Sequence, residues 1–311
     1  VTEAWSRDRL SRRADEPLRH SRRAKIDDDD AVTDPGPSEI QGMTHIGLVA
    51  TDLDGTLIGA SESESDFHEF RLLLERLRRE RGTRWAIITG RLRGTMDEEL
   101  FRFGVYGLHP DFLVLEDARI FRRHPRLGFV SFFWWNQSVG LRRLWGALRH
   151  RRVFGRIRRL LADEFPLGED LSFRVTGVWA RFPDLAMADL AEAGIRELMN
   201  GTAERFQFFR WPREMYVGPR VGTKGEALTR LCEHLHMPRE FVFAVGDGAN
   251  DISMLNGHAA AYPACVANAA EQVKATVRDA GGRIASAEGL RGVLESLGEL
   301  VGDHTDDRTA P

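Results

Sequence analysis

Residues 46–57 constrain this chain more than any other stretch. A short apolar run over 46–50 leads directly into Thr51, Asp52, Leu53, Asp54, Gly55 and Thr56. An apolar run this short, closed by a polar turn, reads as a buried parallel strand. The two carboxylates then sit past its carboxyl end, where open α/β sheets bind their ligands. One residue separates Asp52 from Asp54, so a regular strand would point both to one side. Like charges held that close repel unless a cation or a shared proton relieves them, and hard carboxylate oxygens suit Mg2+. Gly55 gives the turn backbone freedom, and free N–H groups in such a turn cradle an anion. A surface turn rich in Asp and Gly is the plain alternative, but such a turn needs no apolar strand leading into it.

The 311 residues suffice for one large domain or two ordinary ones. With 42% hydrophobic and 29% charged residues, a globular, soluble protein is expected. The net charge of −3 implies no global attraction to nucleic acid or to an anionic membrane. Cys232 and Cys265 are too few for a disulfide framework and fit a reducing, cytoplasmic setting. No Cys/His cluster has zinc spacing, no apolar stretch approaches a membrane span, and the first residues lack the apolar core of a signal peptide. Residues 1–42 mix arginines with the acidic run 27–30 and with Pro35 and Pro37, and their sparse apolar residues show no period. That is the composition of a disordered tail, and targeting peptides avoid such acidic residues. Met43 stands directly before the first strand and the chain opens with Val, so the natural start is expected at Met43.

Beyond the first turn, apolar residues at 70, 73, 74 and 77 mark a helix over 67–81, with Gly82 placed to end it. Residues 85–88 read as a second strand, followed by Thr89, Gly90 and Arg91. The Thr89 hydroxyl there is placed to hold a phosphate oxygen, and a helix from Arg93 would favour an anion at its start. Residues 112–115 form a third strand, with 119–121 as its hairpin partner. The rhythm breaks over 125–215, which carries an arginine-rich helix over 141–165, further strands and an amphipathic helix over 185–199. This reads as an α+β insert large enough for a small core of its own. The arginines read as a solvated helix face, with a surface for an anionic substrate or partner as the sharper alternative. The β-α rhythm resumes with Gly222, Thr223 and Lys224 at a helix start, then the most apolar run, 241–245. That central strand ends in Gly246, Asp247, Gly248, Ala249, Asn250 and Asp251. Parallel strands present their carboxyl ends to one edge, so Asp247 and Asp251 would face Asp52 and Asp54.

Four motifs in this order resemble the haloacid dehalogenase-like hydrolase superfamily. Asp52 to Leu57 is similar to its first motif, Thr89 to its second, Lys224 to its third, and the run 246–251 to its fourth. The insert's place between the second and third motifs resembles the Cof-type and sucrose-phosphatase-like branch. The resemblance implies a Rossmann-like parallel sheet core over 43–124 and 216–301, with an α+β cap over 125–215. One departure stands out: Glu116 and Asp117 occupy the place where the branch usually carries Asn-Gly or Gly-Thr.

The roles the resemblance implies agree with the chemistry of the residues. Asp52 would be the nucleophile forming an aspartyl-phosphate, and Asp54 the acid and base. Mg2+ would be held by Asp52, Asp54 through its backbone carbonyl, Asp247 and Asp251. Gly55, Thr89, Gly90, Lys224 and Asn250 would hold the phosphate. The expected activity is a Mg2+-dependent phosphatase acting on a small phosphorylated metabolite, foremost a sugar phosphate. A phosphomutase, or a binding protein on an inactive scaffold, are the alternatives. The expected partner is a small phosphate ester, with neither nucleic acid nor membrane. In the insert, Arg174, Trp179, Arg210 and Trp211 are the candidate substrate contacts.

Overall fold

A computed structural model of the chain describes residues 44–59, 62–91, 93–165, 171–174 and 177–302. The expectations for residues 1–42 and for Met43 fall outside these. The first strand, β1 (Leu48–Thr51), is buried along its whole length. Helix α1 (Glu64–Arg81) starts from a capping box between Ser63 and Asp66 and ends at Gly82, left-handed at φ 66°. Next come β2 (Arg84–Ile88), a 3-10 turn at Arg93–Thr95, α2 (Asp97–Val105) and β3 (Phe112–Leu115). The helix expected to begin at Arg93 thus begins after that turn. Strands β4 (Arg119–His124) and β5 (Gly128–Ser131) then run back antiparallel, so the larger sheet is mostly but not wholly parallel.

The long basic helix is in fact two, α3 (Phe133–Arg149) and α4 (Arg151–Glu164), broken at His150. The first turns of α3 belong to the larger sheet. Asn136 exchanges two 2.8 Å hydrogen bonds with the backbone of Ile120, and Trp135 Nε1 donates to the Ala118 carbonyl. A second sheet follows from β6 (Leu171–Arg174), β7 (Gly177–Arg181), α5 (Leu185–Leu198), β8 (Phe206–Trp211) and β9 (Glu214–Pro219). It is antiparallel, in the order β6-β7-β9-β8. Its core joins Phe154, Ile157 and Leu161 of α4 and Ala188, Ala191 and Ile195 of α5 to Val178, Ala180, Met215 and Val217.

The chain then returns through α6 (Lys224–His234), β10 (Val242–Gly246), α7 (Ile252–Leu255), β11 (Tyr262–Cys265), α8 (Glu271–Asp279), β12 (Arg283–Ile284) and α9 (Gly289–Leu300). The larger sheet has the order β12-β11-β10-β1-β2-β3-β4-β5. Thr51 is in register with both Ile87 and Val245, so the loops after β1, β2 and β10 leave the sheet at one edge. Val49, Ile87 and Val245 pack on one face with Phe70 and Leu297, while Leu48, Ala50 and Ala244 pack on the other with Leu228 and Met254. No helix among the described residues is long and apolar enough to cross a membrane.

Candidate active site

Three loop carboxylates meet at that edge. Asp52 leaves β1 with its N–H donating to Val245, which ties the loop to the central strand. Lys224 opens α6, whose start is fixed by Thr223 accepting from the Glu226 N–H. Its ammonium lies 2.6 Å from Asp52 Oδ1 and 2.6 Å from Asp251 Oδ1, fully buried. Asp251 Oδ2 in turn accepts from the N–H groups of Asp247 and Gly248, at 3.0 and 2.8 Å, and so shapes the loop after β10. Thr56 donates to Asp247 Oδ1 at 2.9 Å. Gly55, at φ +79°, has no side chain for a physical reason: a Cβ there would run into the Asp247 carboxylate.

One ligand oxygen from each of Asp52, Asp247 and Asp251 lies within 4.8 Å of the others. Burial raises the Asp52 carboxyl well above its ordinary value, and the Asp251 charge adds to this against the opposing pull of Lys224. Burial, then Asp251, likewise raises Asp247. Burial acts to lower Lys224, but the summed attraction of Asp251, Asp52 and Asp117 outweighs it, and the ammonium form is favoured. A single ammonium thus serves several carboxylates, and the surplus negative charge fits a divalent cation with oxygen ligands. Asp251 has both oxygens engaged, whereas among the described residues no N–H or hydroxyl donates to Asp52 Oδ2 or Asp247 Oδ2, and the two carboxyls hydrogen-bond each other. Those two are the fitting direct ligands, with Asp251 behind them.

The Asp54 carboxylate is not among the three. It is exposed and gripped by Arg91, whose other nitrogen reaches Glu99 at 2.9 Å. Thr89 is buried, accepts from the Arg91 N–H and keeps its own O–H to donate. Gly90 lies against Asn250 and Asp117: a Cβ there would sit 3.7 Å from Asn250 Nδ2 and 3.4 Å from Asp117 Oδ1. Asn250 Nδ2 donates to Asp117 at 3.2 Å.

The sequence points to no role for Asp117 or Arg91 and groups Arg143 with the solvated arginines of its helix, whereas its side chain is only 12% exposed. Glu116 and Asp117 both adopt left-handed backbone, at φ 52° and 62°, which is uncommon away from glycine. The turn drives Asp117 inward, where burial raises its carboxyl above the ordinary value. Arg143 of α3 holds the turn from outside, donating to the Glu116 carbonyl at 2.6 Å and to the carbonyls of Val221 and Gly222. The signal in the sequence was the departure from Asn-Gly, since Asp is among the few residues that tolerate this conformation.

The four insert candidates divide by sheet face. Arg210 is in register with Met215, on the helix side, and is taken by Asp189 and Glu192 of α5. Trp179 alternates with the buried Val178 and Ala180 and pairs across strands with Tyr216 on the opposite, open face. The side chains of Arg174 and Trp211 lie outside the described residues.

Residues 190–290 match the family of haloacid dehalogenase-like hydrolases. Among curated proteins none matches this chain in sequence. In fold it is similar to the sucrose-phosphatase of Synechocystis solved with sucrose and phosphate, at 20% identity and a TM-score of 0.58, over 83% of this chain and 98% of that one. A haloacid dehalogenase-like hydrolase protein of Bacillus subtilis gives 16% identity and a TM-score of 0.55, over 84% and 94%. A Bacteroides thetaiotaomicron protein, analysed among phosphatases of the haloalkanoate enzyme superfamily, gives 17% and 0.52, over 87% and 100%. The two sheets described above are the core and cap of that fold. The motifs, the matched segment 190–290 and the fold agree with one another, and each is similar to the haloacid dehalogenase-like hydrolases.

Proposed function

We propose that the chain is a Mg2+-dependent phosphatase that hydrolyses a small phosphorylated metabolite through an aspartyl-phosphate on Asp52. The observation that carries this reading is the group of buried Asp52 and Asp251, bridged by Lys224, with half-buried Asp247 beside them at the carboxyl ends of β1 and β10. Asp52 attacks phosphorus, and Lys224 fixes the direction of its carboxylate. Thr89, Asn250 and the N–H groups beside Gly55 and Gly90 take the transferring oxygens. Asp54 gives a proton to the leaving oxygen and then takes one from water. Asp52, Asp247 and the Asp54 carbonyl would hold Mg2+, with Asp251 behind them, and the ion would neutralise charge on the phosphate. A phosphorylated sugar is our first choice of substrate. The support is the likeness in fold to a protein solved with sucrose and phosphate, together with an open cap face bearing Trp179 and Tyr216. The two buried free cysteines suit the cytoplasmic setting we assign.

Hydrolysis of an aryl phosphate with and without Mg2+ tests the reading, with Asp52→Asn beside it. Activity should require the metal and vanish in the variant. Metal-independent turnover, or turnover that survives Asp52→Asn, would remove the proposal. A panel of phosphorylated sugars and glycerates then narrows the substrate.

A further inference from the structure

The net charge of −3 conceals a polarised chain. Residues 118–162 carry twelve arginines and neither aspartate nor glutamate. On α3 within this segment, Trp134, Leu141, Trp145 and Leu148 are 84%, 57%, 70% and 51% exposed. Their spacing of seven, four and three residues places them on one stripe, about 21 Å long at 1.5 Å per residue. The opposite face of the helix is taken, since Asn136 and Val139 are buried. Exposed Arg149 ends the helix, and exposed Arg151, Arg152, Arg156 and Arg159 continue along α4. Among the described residues no carboxylate pairs with these five. A soluble surface rarely leaves two tryptophans and two leucines in a row in water.

We infer, in place of the expectation of no membrane partner, that the exposed stripe of α3 together with the exposed arginines that follow it on α4 docks the protein on an anionic lipid bilayer. A second copy of the chain is a poor occupant, because residues 118–162 bring no carboxylate and so no counter-charge for the arginines. The apolar stripe and the basic helix beside it call for a partner that is negative at its surface and apolar just beneath. A bilayer with anionic headgroups has that profile: tryptophans settle at the interface, leucines reach the acyl boundary, and arginines meet the phosphates. Nucleic acid answers only half of the surface. Its bases would stack on Trp134 and Trp145, but Leu141 and Leu148 between and beyond them on a convex ridge would gain nothing. At physiological salt the reach of charge is about 8 Å, so the local cluster outweighs the distant acidic residues. This inference is independent of the catalytic reading.

Flotation of the full chain with phosphatidylcholine vesicles, with and without about 30% phosphatidylglycerol, is the test. Binding should require the anionic lipid, weaken with salt and shift tryptophan emission to the blue. The double variant Trp134→Ser, Trp145→Ser and the triple variant Arg149→Gln, Arg152→Gln, Arg156→Gln should each weaken binding about tenfold or more. Unchanged melting temperatures show that both remain folded. No binding to anionic vesicles at low salt overturns the inference, as does binding that the tryptophan variant leaves intact. So does an oligomer dispersed by the tryptophan variant, which marks a protein interface, or tryptophan-dependent binding of an oligonucleotide with none to vesicles.

Discussion

Arg91 holds Asp54 by a fork, with Nε 2.9 Å from Oδ2 and Nη2 2.6 Å from Oδ1. Its third nitrogen is anchored by Glu99, so Asp54 is held here as an acceptor from the loop after β2, and one of its oxygens must leave the fork to carry the proton of the proposed acid step. The pair is partly exposed, and its loss should cost stability no more than about 1 kcal/mol. Its effect on position should be larger. Arg91→Ala should lower kcat for alkyl phosphates about tenfold with little change in KM. Arg91→Lys, which keeps the charge but not the fork, should recover only part of this. Steady-state rates on alkyl and aryl phosphates check it: equal loss on both would mean that Arg91 serves the phosphate rather than Asp54.

Asp54→Asn gives a complementary expectation. Asp52 should still attack an aryl phosphate, whose leaving group needs no proton, while alkyl phosphates are lost more severely. Release of phosphate from Asp52 should slow for both, because water is no longer activated. Single-turnover kinetics separate the two steps, and an aryl burst as slow as the alkyl one would take the acid role away from Asp54.

The buried cluster should respond asymmetrically to neutralisation. Lys224→Met removes the one ammonium among Asp52, Asp251 and Asp117 and leaves buried carboxylates facing one another. A loss of about 3–5 kcal/mol is expected from breaking such a group. Asp52→Asn abolishes turnover but relieves repulsion, so the fold should be kept or gain slightly. Urea unfolding of both variants without metal decides this; equal destabilisation would contradict the charge balance described above.

Metal should stabilise the protein in a pH-dependent way. Asp52 and Asp247 are both raised in the folded chain. Above an ordinary carboxylate value near 4, the unfolded chain has therefore lost protons that the folded chain still holds. Stability of the metal-free protein should fall as pH rises through that window, then level off once both groups are ionised in the fold. Mg2+ replaces those protons, so its gain in melting temperature should be larger at about pH 7.5 than at about pH 5. At one hundred times Kd the gain corresponds to about 2.7 kcal/mol. Asp247→Asn should remove most of it, as melting scans with and without Mg2+ would show.

The acidic loops were legible because their residue types alternate sharply with apolar strands. Asp52, Asp247 and Asp251 each follow such a run, and the register of Thr51 with Val245 brings their loops to one edge. What the sequence hid depends on geometry that spacing does not record. Arg91 follows Thr89 and Gly90 but acts on a residue 37 positions away. The break at His150 lacks Gly or Pro, so the sequence pattern runs α3 and α4 together as one helix. Strand β12 is two residues long, too short for any period to show. Strand β5 lies within 125–215, the span expected for the insert, yet it pairs with β4 of the larger sheet.

The cap should choose substrate through its open face rather than through its charged residues. Trp179 and Tyr216 form a cross-strand pair there, while Val178, Ala180, Met215 and Val217 turn to the cap helices. The Tyr216 ring lies across Gly177 and Gly218, where any side chain would collide with it, so the local sequence makes room for a flat aromatic. Aromatic faces of this kind suit the apolar side of a sugar ring, and a cap that closes over the core would bring them to the substrate. Trp179→Ala should therefore reorder kcat/KM among phosphorylated sugars by about tenfold, roughly the weight of one buried aromatic contact. Turnover of a small aryl phosphate, which makes few cap contacts, should change little. Arg210→Ala is the informative contrast, because Arg210 faces α5 and is paired with Asp189 and Glu192. It should lower the melting temperature of the cap without altering the ranking of substrates. If Arg210→Ala reorders the substrates while Trp179→Ala does not, the helix side of the sheet is the one that meets them.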